Sequence, residues 1–465
     1  MALKPPACRG MKELDRSAFS LTFPVVALRV PTKSIGEIKA EMAGEVLRIP
    51  KMRNVVDDKA SRDHKLVLLR PEIARLEDAG ERLRERAREN GWESVAHEVT
   101  VGYEFWSADE VLKAVLPDET QAPTSYEQIG HIAHMNLRDE YLEYKRLIGQ
   151  VVLDKSPAVK LVVNKLDTID STFRNFKMEV LAGDPAAGFI ATVRENDCAF
   201  RFDFSKVYWN SRLHTEHQRL IERFAVGSSV CDVMAGVGPF AVPAARRGAL
   251  VWANDLNPAS FEALRDNAQR NRVQDRVRAF NMDGRAFIRQ AFVDYYALAK
   301  DGALTLPVAA RSGSAKAAPP APIPVASRSF DHVVMNLPAI AIEFLDAFRG
   351  IFRLVTGCDA PPADGAAPNL PMIHTHCFTK SDEPEKDILQ RACRALAYPE
   401  DKYAELDAGL HYVRKVAPNK DMYCLSLRLP ESVAYAPEAA AGVDAGVKRQ
   451  PEEAPEESRK TQKSE

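Results

Sequence analysis

The chain has 465 residues, 46% of them apolar and 28% charged, with a formal net charge of −2. That is enough chain for two or three domains with a sizeable core. No apolar run approaches the roughly eighteen residues of a membrane helix, and the charge balance excludes a uniformly basic nucleic-acid binder while leaving room for a local basic face.

Read in chain order, residues 1–115 look like a small α/β module. "FPVVALRVP" and "KLVLLR" are strand-like, "RPEIARLEDAGERLRERARENG" has helical period with Gly91 as C-cap, and Ser107 opens a short helix in "SADEVLKAVLP". A polar linker, "PDETQAPTS", leads into a middle segment, 116–200, with the helix "YLEYKRLIGQVVLDK" and the strands "AVKLVVNKL" and "MEVLAGD". From 201 strands and helices alternate to about 430: "SSVCDVMAG", "GPFAVPAARRG", "ALVWANDLN", "NPASFEALRDNAQRN" with Asn257 as N-cap, "VRAFNMDG", "RAFIRQAFVDYYALAK", "DHVVMNLP", the helix "AIEFLDAFRGIF", "PMIHTHCF", "EKDILQRACRAL" and a hairpin over "HYVRKVAPNKDMYCLSLRL". Repeated βα units predict a doubly wound, mostly parallel sheet with a C-terminal antiparallel hairpin. Residues 301–328 and 431–465, rich in Ala, Pro and charge, are expected to be disordered.

The seven cysteines form no CxxC pair, so they suggest neither a zinc knuckle nor a disulfide framework and fit a reducing compartment. The N-terminus lacks the apolar stretch of a secretory signal and carries Glu13 and Asp15, acids that are sparse in mitochondrial presequences.

The chemistry gathers at strand tips. In "CDVMAGVGPF", Gly236 and Gly238 allow a tight turn and close approach of a ligand, as nicotinamide, nucleotide and S-adenosylmethionine sites all require. The next strand ends in Asp255, placed for ribose hydroxyls, and the third in Asp283-Gly284, placed for an adenine edge. Asp232 ahead of a Gly-Val-Gly-Pro run fits S-adenosylmethionine better than a dinucleotide. The fourth tip is Asn336-Leu337-Pro338. Its amide offers a donor and an acceptor to a planar base, with Pro338 fixing the local backbone; the competing expectation is that Asn336 caps the following helix. Upstream, Leu213, Leu220, Ile221 and Phe224 give an amphipathic helix with Glu216 and His217 in its first turn, and Tyr208 and Trp209 belong either to the core or to the pocket wall.

Together "VRENDCAFRFDFSKVYWNSRLHTEHQRL", "AGVGPFAVPAARRG" and "NLP", joined by "PPACRGMKELDRSAF", "GHIAHMNL" and "IDSTFRNFKMEVLAGD", closely resemble the eukaryotic and archaeal tRNA (guanine-37 N1)-methyltransferases. The resemblance covers most of residues 1–430; it departs in the Ala/Pro insertion and in the loop "CDAPPADGAAPN". It implies a Rossmann-like class I S-adenosylmethionine-dependent methyltransferase domain preceded by smaller α/β modules. It implies methyl transfer to N1 of the guanosine 3′ to the anticodon, without a metal because the sulfonium is already activated. It assigns Glu216 to remove the N1 proton, Arg174 to stabilise charge developing toward O6, Asn336 to hold the guanine edge, Pro338 to shape its turn and Tyr208 to line the site. His217, Asp255, Leu256, Asp283, Gly284 and Asn336 would contact S-adenosylmethionine, with Gly236 and Gly238 giving it room.

The resemblance further implies a monomer, an N-terminal module reading the outer corner of tRNA, a middle segment that helps grip the anticodon arm, and work in cytoplasm, nucleus and mitochondrial matrix. Arg82, Arg84, Arg86, Arg212, Arg219 and Arg223 are candidate phosphate contacts. Two rival readings are methylation of another RNA nucleotide or of protein glutamine, and an idle RNA-binding scaffold.

Overall fold

The computed structural model describes residues 3–123, 125–169, 176–306, 323–325, 327–362 and 367–437. It divides into two compact units, Met1–Val226 with Ala235–Asn281, and Gly227–Met234 with Met282–Glu465.

The first unit opens with strands β1 (Leu21–Pro31), β2 (Val55–Asp57), β3 (His64–Leu68) and β4 (Glu93–Val101), an antiparallel sheet of order β2-β3-β1-β4. The two-residue period of the strands sorts the side chains. Leu28, Val30 and Val67 share a core with Ile38 of helix α1 (Ile35–Glu41) and Leu83 and Ala87 of α2 (Glu81–Glu89), while Ala27, Leu66 and Leu68 form a second core. Helix α2 is shorter than the sequence pattern suggests: Gly80 sits at its N-cap, and only a 3-10 turn, Leu76–Asp78, precedes it.

Helix α3 (Ala108–Val115) begins where expected. The Ser107 hydroxyl accepts the Glu110 N–H (3.3 Å) and Glu110 Oε2 accepts the Ser107 N–H (2.8 Å), a capping box. Replacing Ser107 with Ala should remove about 1 kcal/mol of stability, read as a lower urea midpoint at unchanged slope. Helix α3 packs in one core with Phe19, Trp106 and the elements that follow. Those are β5 (Glu127–Ile129), β6 (Ile132–Met135), α4 (Lys145–Lys155), β7 (Leu161–Ile169) and β8 (Phe176–Gly183), a second sheet of order β5-β6-β7-β8. Next comes the hairpin β9 (Ile190–Glu195) and β10 (Cys198–Asp203), turned by Asn196 and Asp197, both at positive φ. Helix α5 (His214–Ile221) buries Leu220 and Ile221, as its spacing predicts. Strand β11 (Ser229–Asp232) belongs to the second unit. Helix α6 (Ala241–Arg246), β12 (Leu250–Asn254), α7 (Pro258–Arg270) and β13 (Val277–Phe280) complete the first, with β12 and β13 parallel. Asn257 caps α7 as expected, accepting the Ala259 N–H at 3.0 Å.

The second unit holds α8 (Gly284–Lys300), the short strands β14 (Thr305–Leu306) and β15 (Ile323–Pro324), β16 (His332–Met335), α9 (Ile351–Thr356), β17 (Met372–Thr379), α10 (Pro384–Leu396), β18 (Ala408–Ala417), β19 (Lys420–Arg428) and α11 (Glu431–Ala434). Its strands run β11-β16-β17-β19-β18; the first three are parallel, and β17, β19 and β18 pair antiparallel. Strand–helix alternation, parallel pairing and the closing hairpin are the Rossmann-like α/β arrangement the sequence predicts.

Three expectations need correction. The helix over "AIEFLDAFRGIF" is a 3-10 stretch, Ala341–Phe348, that ends before Gly350, whose φ of +68° starts α9 afresh. The insertion is ordered at its ends, where β14 and β15 pair antiparallel, and its residues 307–322 lie outside the described residues. The tail does not begin at 431: α11 buries Val433 and Ala434, Tyr435 meets Phe352 edge-on at 5.7 Å, and the Gly350 N–H donates to the Val433 carbonyl. Residues 438–465 lie outside the described residues.

Candidate active site

The glycine turn of the first unit is held from several sides. Gly236 and Gly238 have φ of +55° and +97°, the left-handed region that favours glycine. Their roles differ. A Cβ on Gly236 would meet none of the described residues within 4 Å, so that surface is free for a ligand, whereas a Cβ on Gly238 would stand 2.8 Å from both Leu264 and Val242. Gly238 therefore serves the packing of the turn on α6 and α7 rather than ligand clearance.

Asp255 fixes the turn to the tip of β12: its carboxylate accepts the Gly236 N–H (2.8 Å) and the Asn257 N–H (2.9 Å). Burial pushes the Asp255 carboxyl above its usual range, and those two N–H groups oppose the shift. Leu256, beside it, is 49% exposed, a clear apolar surface at the same tip.

Two asparagines that the sequence reading passed over hold this geometry. The Asn281 amide donates to the carbonyls of Asp255 (2.7 Å) and Leu256 (3.0 Å). Fully buried Asn267 donates to the Val237 carbonyl (3.0 Å), between the glycines, and accepts the Arg201 N–H (2.7 Å). Asn267→Ala would leave the buried Val237 carbonyl without this partner, at about 1–3 kcal/mol, and would remove the part-buried bond to the Arg201 N–H. We expect a lower unfolding midpoint together with weaker binding of S-adenosylmethionine by calorimetry; unchanged affinity would show that the turn does not depend on Asn267.

Helix α5 carries the acid. Glu216 and His217 are each only 3% exposed. The Glu216 carboxylate takes a two-pronged ion pair from Arg219, with Nε at 2.6 Å and Nη2 at 2.7 Å, which supports a buried negative charge. Arg219, expected to contact phosphate, is thus committed to Glu216. The i, i+3 spacing of the two was the available signal. His217 Nδ1 lies 2.5 Å from Glu195 Oε1, and its ring meets Phe240 edge-on at 4.7 Å. Nothing in the sequence reading singled out Glu195. Tyr208 is 44% exposed, and its hydroxyl accepts from the Asn210 amide at 3.1 Å. Trp209 is buried and stacks on Phe202 at 5.0 Å, which places it in the core of the β10 face. Among the other arginines, Arg82 and Arg86 both pair with Glu41, while Arg84, Arg212 and Arg223 are exposed. Arg174 lies outside the described residues.

In the second unit, Asp283 is the N-cap of α8, its Oδ1 accepting the N–H groups of Arg285 (2.9 Å) and Ala286 (3.2 Å). A Cβ on Gly284 would stand 2.8 Å from the Phe344 ring, so the contact with Phe344 requires glycine there. Asn336 does not cap the following helix, because the N-cap of that 3-10 stretch is Ile340. Its Oδ1 is buried and has no hydrogen-bond partner among the described residues. The turn beneath it is rigid: the Leu337 carbonyl accepts the N–H groups of Ile340 and Ala341, and the Pro338 carbonyl accepts that of Phe378. An orphaned acceptor on a fixed turn suits a ligand donor. Taken separately, the open Gly236 turn with its fixed acid and the orphaned Asn336 amide both fit S-adenosylmethionine.

This arrangement, a Rossmann-like sheet with a glycine turn and an acid at the next strand tip, is that of the S-adenosylmethionine-dependent methyltransferases. The TRM5/TYW2 methyltransferase domain matches residues 191–300, and the TYW2 N-terminal domain matches 108–186. Curated relatives named tRNA (guanine(37)-N(1))-methyltransferase include one from Schizosaccharomyces pombe, 43% identical over 92% of this chain and 96% of its own, and one from Batrachochytrium dendrobatidis, 42% identical over 93% and 91%. The chain belongs to the tRNA (guanine(37)-N(1))-methyltransferase family. The solved complex of aTrm5 and tRNALeu shares the fold, with a TM-score of 0.55 at 17% identity over 87% of this chain and all of the other. Trm5b from Pyrococcus abyssi gives 0.52 at 21% identity over 87% and 99%.

Proposed function

We propose that the chain transfers a methyl group from S-adenosylmethionine to N1 of guanosine-37 in tRNA, with Glu216 as the base. The observation that carries the Glu216 assignment is its burial in an ion pair with Arg219. Guanine N1 bears a proton at neutral pH, so a nearby acceptor must take it as the new bond forms. The N1–H proton passes to the Glu216 carboxylate, and the electron pair left on N1 takes the methyl group as the methyl carbon–sulfur bond breaks, its electron pair returning to sulfur to leave a neutral thioether. S-adenosylmethionine supplies that methyl group already activated on sulfur, held by His217, Asp255, Leu256, Asp283, Gly284 and Asn336 beside the Gly236-Val237-Gly238 turn.

Asn336 also grips the guanine edge from its Pro338-shaped turn, Tyr208 lines the base, and Arg174 stabilises negative charge at O6. The N-terminal module takes the outer corner of a tRNA and the middle segment its anticodon arm, as a monomer. In tRNA-Phe the product feeds wybutosine-type modification. The family's setting in cytoplasm, nucleus and mitochondrial matrix is the expected one. Among the described residues no helix is long and apolar enough to cross a membrane.

The test is nucleoside analysis of unmodified tRNA after reaction with methyl-labelled donor. Label in 1-methylguanosine supports the reading. Label in another nucleoside or in protein, or donor binding without any transfer, points to a rival substrate, and absence of donor binding points to the scaffold.

A further inference from the structure

Glu127 is distant in sequence from the reacting groups, yet it grips the turn that launches α5. It is the first residue of β5, and its Oε1 accepts both the Ser211 N–H (2.9 Å) and the Ser211 hydroxyl (2.7 Å). Ser211 opens the 3-10 turn Ser211–Leu213, which runs directly into α5 at His214. The first N–H groups of a helix have no partner within it. Here Glu127 takes that of Ser211, and the Asn210 side chain takes that of Arg212 at 3.1 Å. The His214 N–H closes the turn onto the Ser211 carbonyl, and Leu213 is buried.

The strand end of this link is fixed as well. Across the β5–β6 hairpin Glu127 lies opposite His134, and Ile129 lies opposite Ile132, both isoleucines fully buried. At the bend Gly130, at φ +59°, stands so close to β9 that a Cβ there would lie 2.9 Å from the Thr192 carbonyl. His131 Nε2 lies 3.0 Å from the Gly188 carbonyl. Glu127 therefore joins a fixed strand to a fixed turn.

Glu216 is the third residue of α5 and lies in its first turn. Its ion pair with Arg219 stays within the helix and moves with it, so that pair cannot set where α5 stands. Contacts from outside the helix must do so. Glu195 holds the next residue, His217, and Glu127 holds the turn just before. We propose that Glu127 is a positioning residue: as the acceptor for Ser211 it sets the first turn of α5, and with it the approach of Glu216 to the guanine N1 proton, a role that rests on the reading of the reaction given above. Both of its donors are neutral, so the role needs an oxygen acceptor rather than a charge, and a glutamine oxygen can fill it.

The test measures single-turnover 1-methylguanosine formation, affinity for tRNA and for S-adenosylmethionine, and the melting midpoint of the full-length protein. It compares wild type with Glu127→Ala, Glu127→Gln and Ser211→Ala, and repeats the alanine changes in a Glu216→Gln background. Glu127→Ala should slow transfer about tenfold to a hundredfold, the cost of a small misplacement of reacting groups, with both affinities within a few-fold of wild type. Glu127→Gln should recover most of that rate, and Ser211→Ala, which keeps the backbone donor, should lose less than Glu127→Ala. In the Glu216→Gln background Glu127→Ala should slow transfer little further, because its effect passes through Glu216. The role is overturned if Glu127→Ala transfers at the wild-type rate, if its loss lies in affinity alone, if glutamine recovers nothing, or if alanine slows Glu216→Gln by the same factor as wild type. A bond that serves only stability gives that last result. Should Glu127→Ala fail to fold, Ser211→Ala carries the same comparison in both backgrounds. Normal 1-methylguanosine from the wild type alongside any of these results removes the role and leaves the reaction standing, whereas its absence from the wild type removes the reaction itself.

Discussion

Glu216→Gln lowers the single-turnover rate of methyl transfer by about 10²- to 10⁴-fold, with tRNA affinity within a few-fold of wild type. Glutamine keeps the size of the side chain and one oxygen toward Arg219. It loses the charge and the ability to take a proton, so N1 must lose its proton to water. The side chain sits in an ion pair at 3% exposure, so some loss of stability accompanies the change, and a melting curve belongs beside the kinetics. A rate per bound tRNA equal to wild type would assign Glu216 a structural role through Arg219 and leave the base elsewhere.

Asn336→Ala separates stability from function in the opposite sense. The Asn336 oxygen is buried without a partner among the described residues, which contribute no hydrogen bond to that acceptor. Removing the amide should leave the unfolding midpoint unchanged or slightly raised, because a desolvated group disappears. Transfer should fall by about 10²- to 10³-fold, the usual loss of one oriented polar group from a reacting site. A clear loss of stability with transfer intact would show that Asn336 serves the turn rather than the substrate.

The alternation of strands and helices was plain in the sequence, as were its punctuating residues. Ser107 and Asn257 cap the helices assigned to them, and the glycine turn follows a strand as its spacing requires. What escaped were contacts distant in sequence or disguised by ordinary chemistry. Asn267 reaches Val237 and Arg201 across 30 and 66 residues, and no local pattern marks such a bond. Arg219 reads as a solvated helix charge until burial of Glu216 shows why it is there. Glu195 sits in a polar run that signals only a hairpin turn, yet it holds His217. The 3-10 stretch Ala341–Phe348 carries a helical pattern of apolar residues, and periodicity cannot tell a tight helix from an α-helix over so short a run. Helix α11 lay hidden because its polar surroundings outweigh four residues in any compositional window.

The methyl group goes to guanosine-37 itself. This is tested most directly with two unmodified tRNA transcripts that differ only in guanosine or adenosine at that position, each given methyl-labelled S-adenosylmethionine. Label is expected on the guanosine transcript alone, recovered as 1-methylguanosine. Equal label on both would contradict this, because the methyl group would then be going to another nucleotide.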